Sequence, residues 1–302
     1  MLININYGVT PEGQYIPAEE VRELLKDDIL QEIKETNVKR AEGLNKRKSK
    51  EALNMLISEE MGKFIFSHYE EVINKIVDEK GKFDSALAFR FLYLSTFIDY
   101  DNKLKWGECF RGKHTASMLE KDLKEVWGLG KVQTIKDKTK LINLGLLIVD
   151  EETKELSINI RYCHKGKIKN SLKGESIRVF EKAIQEIYID SLPKEHKRLG
   201  IFIKLIPFLN TQHNILCFNT EEERAIMIKP LSIQDICKIV NHTVKNARRL
   251  EGELLKTTVN EQPLLMKHTK FNSVVYSINP KLFYKGNNIE QLTALINLFY
   301  VK

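Results

Sequence analysis

Two segments of the 302-residue chain carry side chains of the kinds that read DNA. The first offers Lys131, Gln133, Thr134, Lys136, Lys138 and Lys140; the second offers His242, Thr243, Lys245, Asn246, Arg248 and Arg249. Arg clasps guanine bidentately and Asn or Gln clasps adenine, whereas lysines more often hold phosphates, which set register without reading sequence. The second segment is therefore the expected base reader. Helical spacing turns Ile135 and Ile142 of the first segment, and Val244, Ala247 and Leu254 of the second, toward a core. A basic connection, Lys267–Asn272, adds Lys267, His268 and Lys270 and suits a phosphate backbone or minor groove. The matching connection Asp150–Glu155 holds four acids, which phosphate repels, so it points to helix-only DNA contact or to a protein contact there.

Other chemistries lack their residues. GxxxxGK[ST], GxGxxG, HExxH and GxSxG are all missing, so no catalytic residue, cofactor or enzymatic activity is expected. Cys109, Cys163, Cys217 and Cys237 form no CxxC pair and no zinc spacing, and read as reduced thiols of a cytoplasmic protein without a metal. His164 and His196 read as surface residues, and Trp106 and Trp127 as core. The net charge of +7 favours a polyanionic partner, and 42% hydrophobic with 29% charged residues is the balance of a soluble globular chain. Residues 1–20 lack an apolar signal core, and no apolar run is long enough to cross a bilayer, so no membrane partner is expected.

The elements that must position the two segments repeat. S-I-N-I-R-Y-C-H-K-G at 157–166 matches S-I-N-P-K-L-F-Y-K-G at 277–286, a constant offset of 120 residues. Ahead of each decamer the same order recurs. Apolar helices Leu87–Ile98 and Leu199–Leu209 are followed by polar turns at Asp99–Asn102 and Asn210–Asn214. Short strands come next (Lys103–Gly107, Ile215–Asn219), then amphipathic helices Leu119–Trp127 and Ile233–Val240. Basic helices Val132–Asn143 and Thr243–Leu255 then lead into paired strands, Leu146–Val149 with Leu156–Arg161 and Leu264–Lys267 with Val274–Ile278. Helix, strand, helix, turn, helix, strand, wing, strand is the order of a winged helix-turn-helix.

The expected fold is mainly α with small β-hairpins (α+β). Residues 1–60 form a helical extension (helix Pro17–Asn37) and a basic linker (Lys39–Lys50). Two winged-helix domains occupy 61–170 and 171–288, and a C-terminal helix fills 289–302. Helices Phe64–Val77 and Ile177–Ile189 are expected to lead into the two domains, with Gly174–Leu192 as a helical connector. Gly166 and Gly286 are read as positive-φ turns, and Lys165 and Lys285 as solvated. The two recognition helices are expected on one side of the molecule, about one turn of DNA, 34 Å, or a multiple apart.

The decamer S-I-N-P-K-L-F-Y-K-G, with Leu199–Asn210 and Ser232–Leu255, resembles winged-helix proteins of plasmids and phages of low-GC Gram-positive bacteria. The resemblance covers about 190–288. It is looser over the first copy, where Ile160 stands in place of Pro280, and it leaves out residues 1–60. It implies sequence-specific binding of double-stranded DNA, as a transcriptional regulator or a replication initiator. A homodimer or a host protein stays open as a further partner. The alternative is a winged-helix scaffold that binds a host protein instead of DNA.

Overall fold

The computed structural model describes residues 7–9, 15–17, 35, 49–110, 112–113, 115–166, 175–259, 261–270 and 273–300. They form a mixed α and β structure with small antiparallel sheets, and the chain divides into two units, 1–55 and 56–302. In the first unit, β1 (Tyr7–Val9) pairs with β2 (Tyr15–Pro17), Gly8 opposite Ile16, so a hairpin precedes the expected helix. Beyond Pro17, the helix Pro17–Asn37 lies outside the described residues except for the helical Glu35. The basic linker also lies outside them up to residue 48, and its last two residues, Ser49 and Lys50, lie in a helix, α1, that is described over 49–61.

In the second unit, β3 (Phe64–Ser67) leads into α2 (Tyr69–Lys75) and α3 (Ser85–Ser95). Asp84 caps α3 by accepting from Leu87 N at 3.1 Å. Every residue from Leu87 to Ser95 is buried, as suits a helix that is apolar all round. A 3-10 turn at Glu120–Asp122 opens α4 (Leu123–Trp127), which stops at Gly128 with φ 60, left-handed backbone that costs glycine least. Next come α5 (Lys131–Asn143), the hairpin β4 (Leu147–Val149) and β5 (Leu156–Ile158), and β6 (Cys163–His164). The expected strand Lys103–Gly107 is reduced to isolated pairings, Lys103 with Ser157 and Lys105 with Ser117. Trp106 and Trp127 are buried, as expected.

The chain continues through β7 (Ile177–Phe180), α6 (Glu181–Asp190), α7 (His196–Leu199), α8 (Ile201–Leu205), α9 (Ile233–Ile239) and α10 (Ala247–Leu255). It closes with β8 (Thr258–Val259), β9 (Gln262–Pro263), β10 (Leu265–Lys270), β11 (Ser273–Ile278), β12 (Phe283–Tyr284) and α11 (Ile289–Tyr300). The expected helix Leu199–Leu209 is interrupted at Gly200, where an added Cβ would lie 1.8 Å from the Ser85 carbonyl oxygen. Only glycine lets the backbone here approach α3 so closely.

The segments Phe64–Val77 and Ile177–Ile189 are not continuous helices. Each begins as a strand, and β3 and β7 pair antiparallel at the centre of a sheet ordered β12-β7-β3-β6. Their aromatic and β-branched residues suit a pleated surface, and pairing with a strand more than a hundred residues away outweighs the local helical stripe. Beside this sheet, Lys165 is no solvated residue: its Nζ lies 2.6 Å from Glu181. Lys285, 7% exposed, lies 2.6 Å from Glu175 and 3.3 Å from Glu221. Gly166 has the expected positive φ of 70. Gly286 does not; it is needed for space, since a Cβ there would sit 2.5 Å from the Thr211 carbonyl oxygen.

One hydrogen-bond pattern occurs twice. Asn102 (φ 61) donates from Nδ2 to Ile158 O and Cys163 O at 3.0 and 2.7 Å. Asn214 (φ 49) donates to Ile278 O and Phe283 O at 3.1 and 2.9 Å. Asn159 donates to Gly145 O and accepts from Arg161 N; Asn279 donates to Pro263 O and accepts from Lys281 N. Asn102 and Asn214 thus fasten each hairpin to the shared sheet, in a left-handed conformation that Asn tolerates better than most residues. Asn102→Ala and Asn214→Ala should each lower stability by roughly 2–4 kcal/mol, since the change strands two buried carbonyls and strains the backbone. Glycine at either position should recover part of the loss. Urea denaturation of the four variants measures this, and equal losses for alanine and glycine would argue against backbone strain.

His164 and His196, read as surface residues, are buried, as is His68. Aromatic neighbours enclose them: His164 stacks on Phe66 and His68, and His196 packs on Tyr188 and Phe89. Burial first, then Arg90, lowers the His196 pKa to about 4, and burial with His68 lowers that of His164 to about 4. Both are therefore neutral in the fold and charge more readily when unfolded. Their stabilising contribution is complete above about pH 6.5 and is lost as pH falls toward 4. Thermal melts of His196→Gln across that window should show a pH-dependent loss smaller by roughly 1–3 kcal/mol than the unaltered chain. An unchanged pH profile would remove His196 from the account.

Candidate nucleic-acid interface

The first basic helix, α5, starts after the Gly128-Leu129-Gly130 turn and presents a different face from the one its spacing suggests. Thr134, Asp137 and Leu141 are buried, while Val132 is 84% exposed, Ile135 48% and Ile142 36%. The cause is a buried ion pair: Arg90 of α3 donates to Asp137 Oδ2 at 2.7 Å, with both side chains less than a tenth exposed. Asp137 and Ile135 stand about 200° apart around a helix, so drawing the carboxylate inward turns the isoleucine outward. An unpaired buried carboxylate costs far more than an exposed aliphatic. Arg90 also donates from Nε to His196 Nδ1 at 3.0 Å, which extends the bridge into α7.

The six residues proposed as readers on α5 therefore divide. Lys131 and Lys136 are exposed and form no ion pair among the described residues. Thr134 is turned inward, with its hydroxyl on Gly130 O, and is not an outward reader. Gln133 donates to Asp137 at 2.6 Å, Lys138 pairs with Glu120, and Lys140 reaches Asp84 at 3.0 Å. In the acidic connection, Asp150 builds its own turn: hydrogen bonds from Thr153 and Glu152 hold its carboxyl below the usual range. Glu155 pairs with Lys103, which leaves Glu151 and Glu152 as the exposed acids with no such partner.

Between these parts lies a groove of about 630 Å³. Leu119 and Ile135 contribute apolar surface, and Lys121, Lys124, Lys131, Lys138 and Lys154 stand around it with Glu120. None of its lysines except Lys131 and Lys138 was singled out from the sequence, because 119–124 and 153–154 come together with α5 only in the fold.

In the second half, a reciprocal Ser232–Asp235 capping box starts α9. Asn241, φ 57, makes the turn out of it. The second basic segment opens as a 3-10 turn (Val244–Asn246) and becomes helical only at Ala247. Ala247, Leu250 and Leu254 are buried, but Val244 is 41% exposed, because it precedes the helix whose face packs inward. Thr243, Lys245, Asn246 and Arg248 are exposed, and neither Lys245 nor Arg248 forms an ion pair among the described residues. Arg249 pairs with Glu253 at 2.9 Å, and the half-buried His242 rests its Nδ1 3.2 Å from Thr243 O. The second site thus keeps more unengaged polar groups than the first.

The basic connection Lys267–Asn272 is mostly strand. β10 and β11 stay paired from Leu265↔Ile278 out to Lys270↔Ser273, and residues 271–272 lie outside the described residues. Lys267 is held 2.8 Å from Glu251, which also accepts from the Tyr276 hydroxyl. His268 is half-buried on the same strand.

Among the described residues, no three His, Cys, Asp or Glu side chains converge to hold a metal, and no helix is long and apolar enough to cross a membrane. Compared with known proteins, the chain matches no family model, no curated sequence and no solved structure.

Proposed function

We propose that the chain is a sequence-specific double-stranded DNA-binding protein made of two winged helix-turn-helix units in tandem, with base reading concentrated in the second. The observation that carries this is the exposed, largely uncommitted set Lys245, Asn246 and Arg248 at the start of α10. The N-terminal end of the second helix is where helix-turn-helix proteins meet base edges. The hairpin β10–β11 in the wing position of the chain order supports the reading, as does the twice-used asparagine pattern. The sequence resemblance to plasmid and phage winged-helix proteins supports a role as a replication initiator or transcriptional regulator of a mobile element. Electrophoretic shifts on fragments from its own genetic neighbourhood, at two salt concentrations, test specificity. Equal weak binding to every fragment that vanishes in moderate salt would reject it.

The geometry also ranks the side chains. Arg248→Ala should cost about 1–3 kcal/mol of discrimination between specific and unrelated duplexes. Arg249→Ala should cost less, because Glu253 already occupies that guanidinium. Lys136→Ala should weaken all sequences alike and leave discrimination unchanged. Titrations of the three variants on matched duplexes decide; a loss of discrimination from Lys136→Ala equal to that from Arg248→Ala would reverse the roles of the two units.

A further inference from the structure

We propose that the groove on the first half, between α4, α5 and the 150–155 turn, docks an acidic amphipathic helix of a partner protein. Val132, Ile135, Thr139 and Ile142 recur at helical spacing on the outward side of α5. This apolar stripe runs about 15 Å along the helix. Ile135 continues it into the groove, where Leu119 adds to it. Around that apolar strip stand five lysines against one glutamate. Glu120 is neutralised by Lys138, while Lys121, Lys124, Lys131 and Lys154 form no ion pair among the described residues. An apolar strip bordered by free cations complements a helix with aliphatics on one face and carboxylates beside them.

The apolar stripe favours that occupant over a nucleic-acid backbone. A phosphate chain would use the lysines but leave Val132, Ile135 and Ile142 against hydrated anions. An acidic amphipathic helix uses both surfaces, with its apolar face on the stripe and its carboxylates among the lysines.

The test is fluorescence anisotropy on the full chain with a labelled, helix-forming peptide carrying leucines on one face and glutamates elsewhere. A scrambled peptide of the same composition and a version with lysine for glutamate are the controls. The first peptide should bind at least about tenfold more tightly than either control. Ile135→Asp and Lys124→Glu should each remove about tenfold of that affinity. Val132→Asp, at a position 84% exposed, gives a second reading should Ile135→Asp melt early. Arg248→Ala should leave peptide binding unchanged. Equal binding of the scrambled peptide, or no binding of any peptide, overturns the proposal. So does displacement of the peptide by duplex DNA together with loss of DNA binding in Ile135→Asp, which would make this face a DNA contact. Peptide binding by a chain that binds no duplex would instead sink the DNA reading and leave this one standing.

Discussion

The antiparallel pairing of Phe64–Ser67 with Ile177–Phe180 is the constraint on which the rest of residues 56–302 depends. It puts Ile65 opposite Val179 and Phe66 opposite Arg178, and both central strands then gain an outer neighbour, β6 and β12. The outer strands follow directly on the two hairpins, so each hairpin hangs from the shared sheet. Arg178, 3% exposed, reaches across to Gly286 O at 2.7 Å and Asn287 Oδ1 at 3.1 Å. A buried guanidinium with such partners is costly to disturb, because each lost acceptor would leave a donor without water to replace it. One hydrophobic core accordingly takes in Leu92 and Trp127 from the first half and Phe202 and Leu250 from the second.

A second, polar tie joins the halves. Asp137 on α5, Arg90 on α3 and His196 on α7 form one buried chain of hydrogen bonds. Around it, Tyr188 stacks on Tyr93 at 3.6 Å and donates its hydroxyl to Trp127 O. Removing one partner of such a pair is expected to cost about 3–5 kcal/mol, because the other charge stays buried. The tie also sets which side of α5 faces solvent, so the surface chemistry of the first half follows from a contact in its interior.

The two halves share a hydrogen-bond framework and present different surfaces. Around α5 the exposed residues are aliphatic with a lysine border, while at the start of α10 they are polar and basic. The shared framework rests on backbone geometry and on asparagines that satisfy carbonyls, which leaves the outward residues free to diverge without cost to the fold.

The order of helices and hairpins was legible in the sequence because it rests on local terms. Apolar residues at helical spacing marked α3, α9 and α11, glycines and asparagines marked the turns, and the decamer offset marked the repeat. On the second segment, Ala247 and Leu254 are buried as their spacing marks, while Val244, marked with them, is exposed because it precedes the helix. What depends on partners remote in sequence was not legible. Phe64–Ser67 reads as the start of a helix until β7 is beside it, and Lys285 reads as solvated until Glu175 and Glu221 close around it. Nothing in the local spacing turns Asp137 inward; Arg90, 47 positions earlier, does. That one buried charge pair outweighs the preference of two isoleucines for the core, so the outward face of α5, and the groove beside it, were decided by the tertiary structure alone.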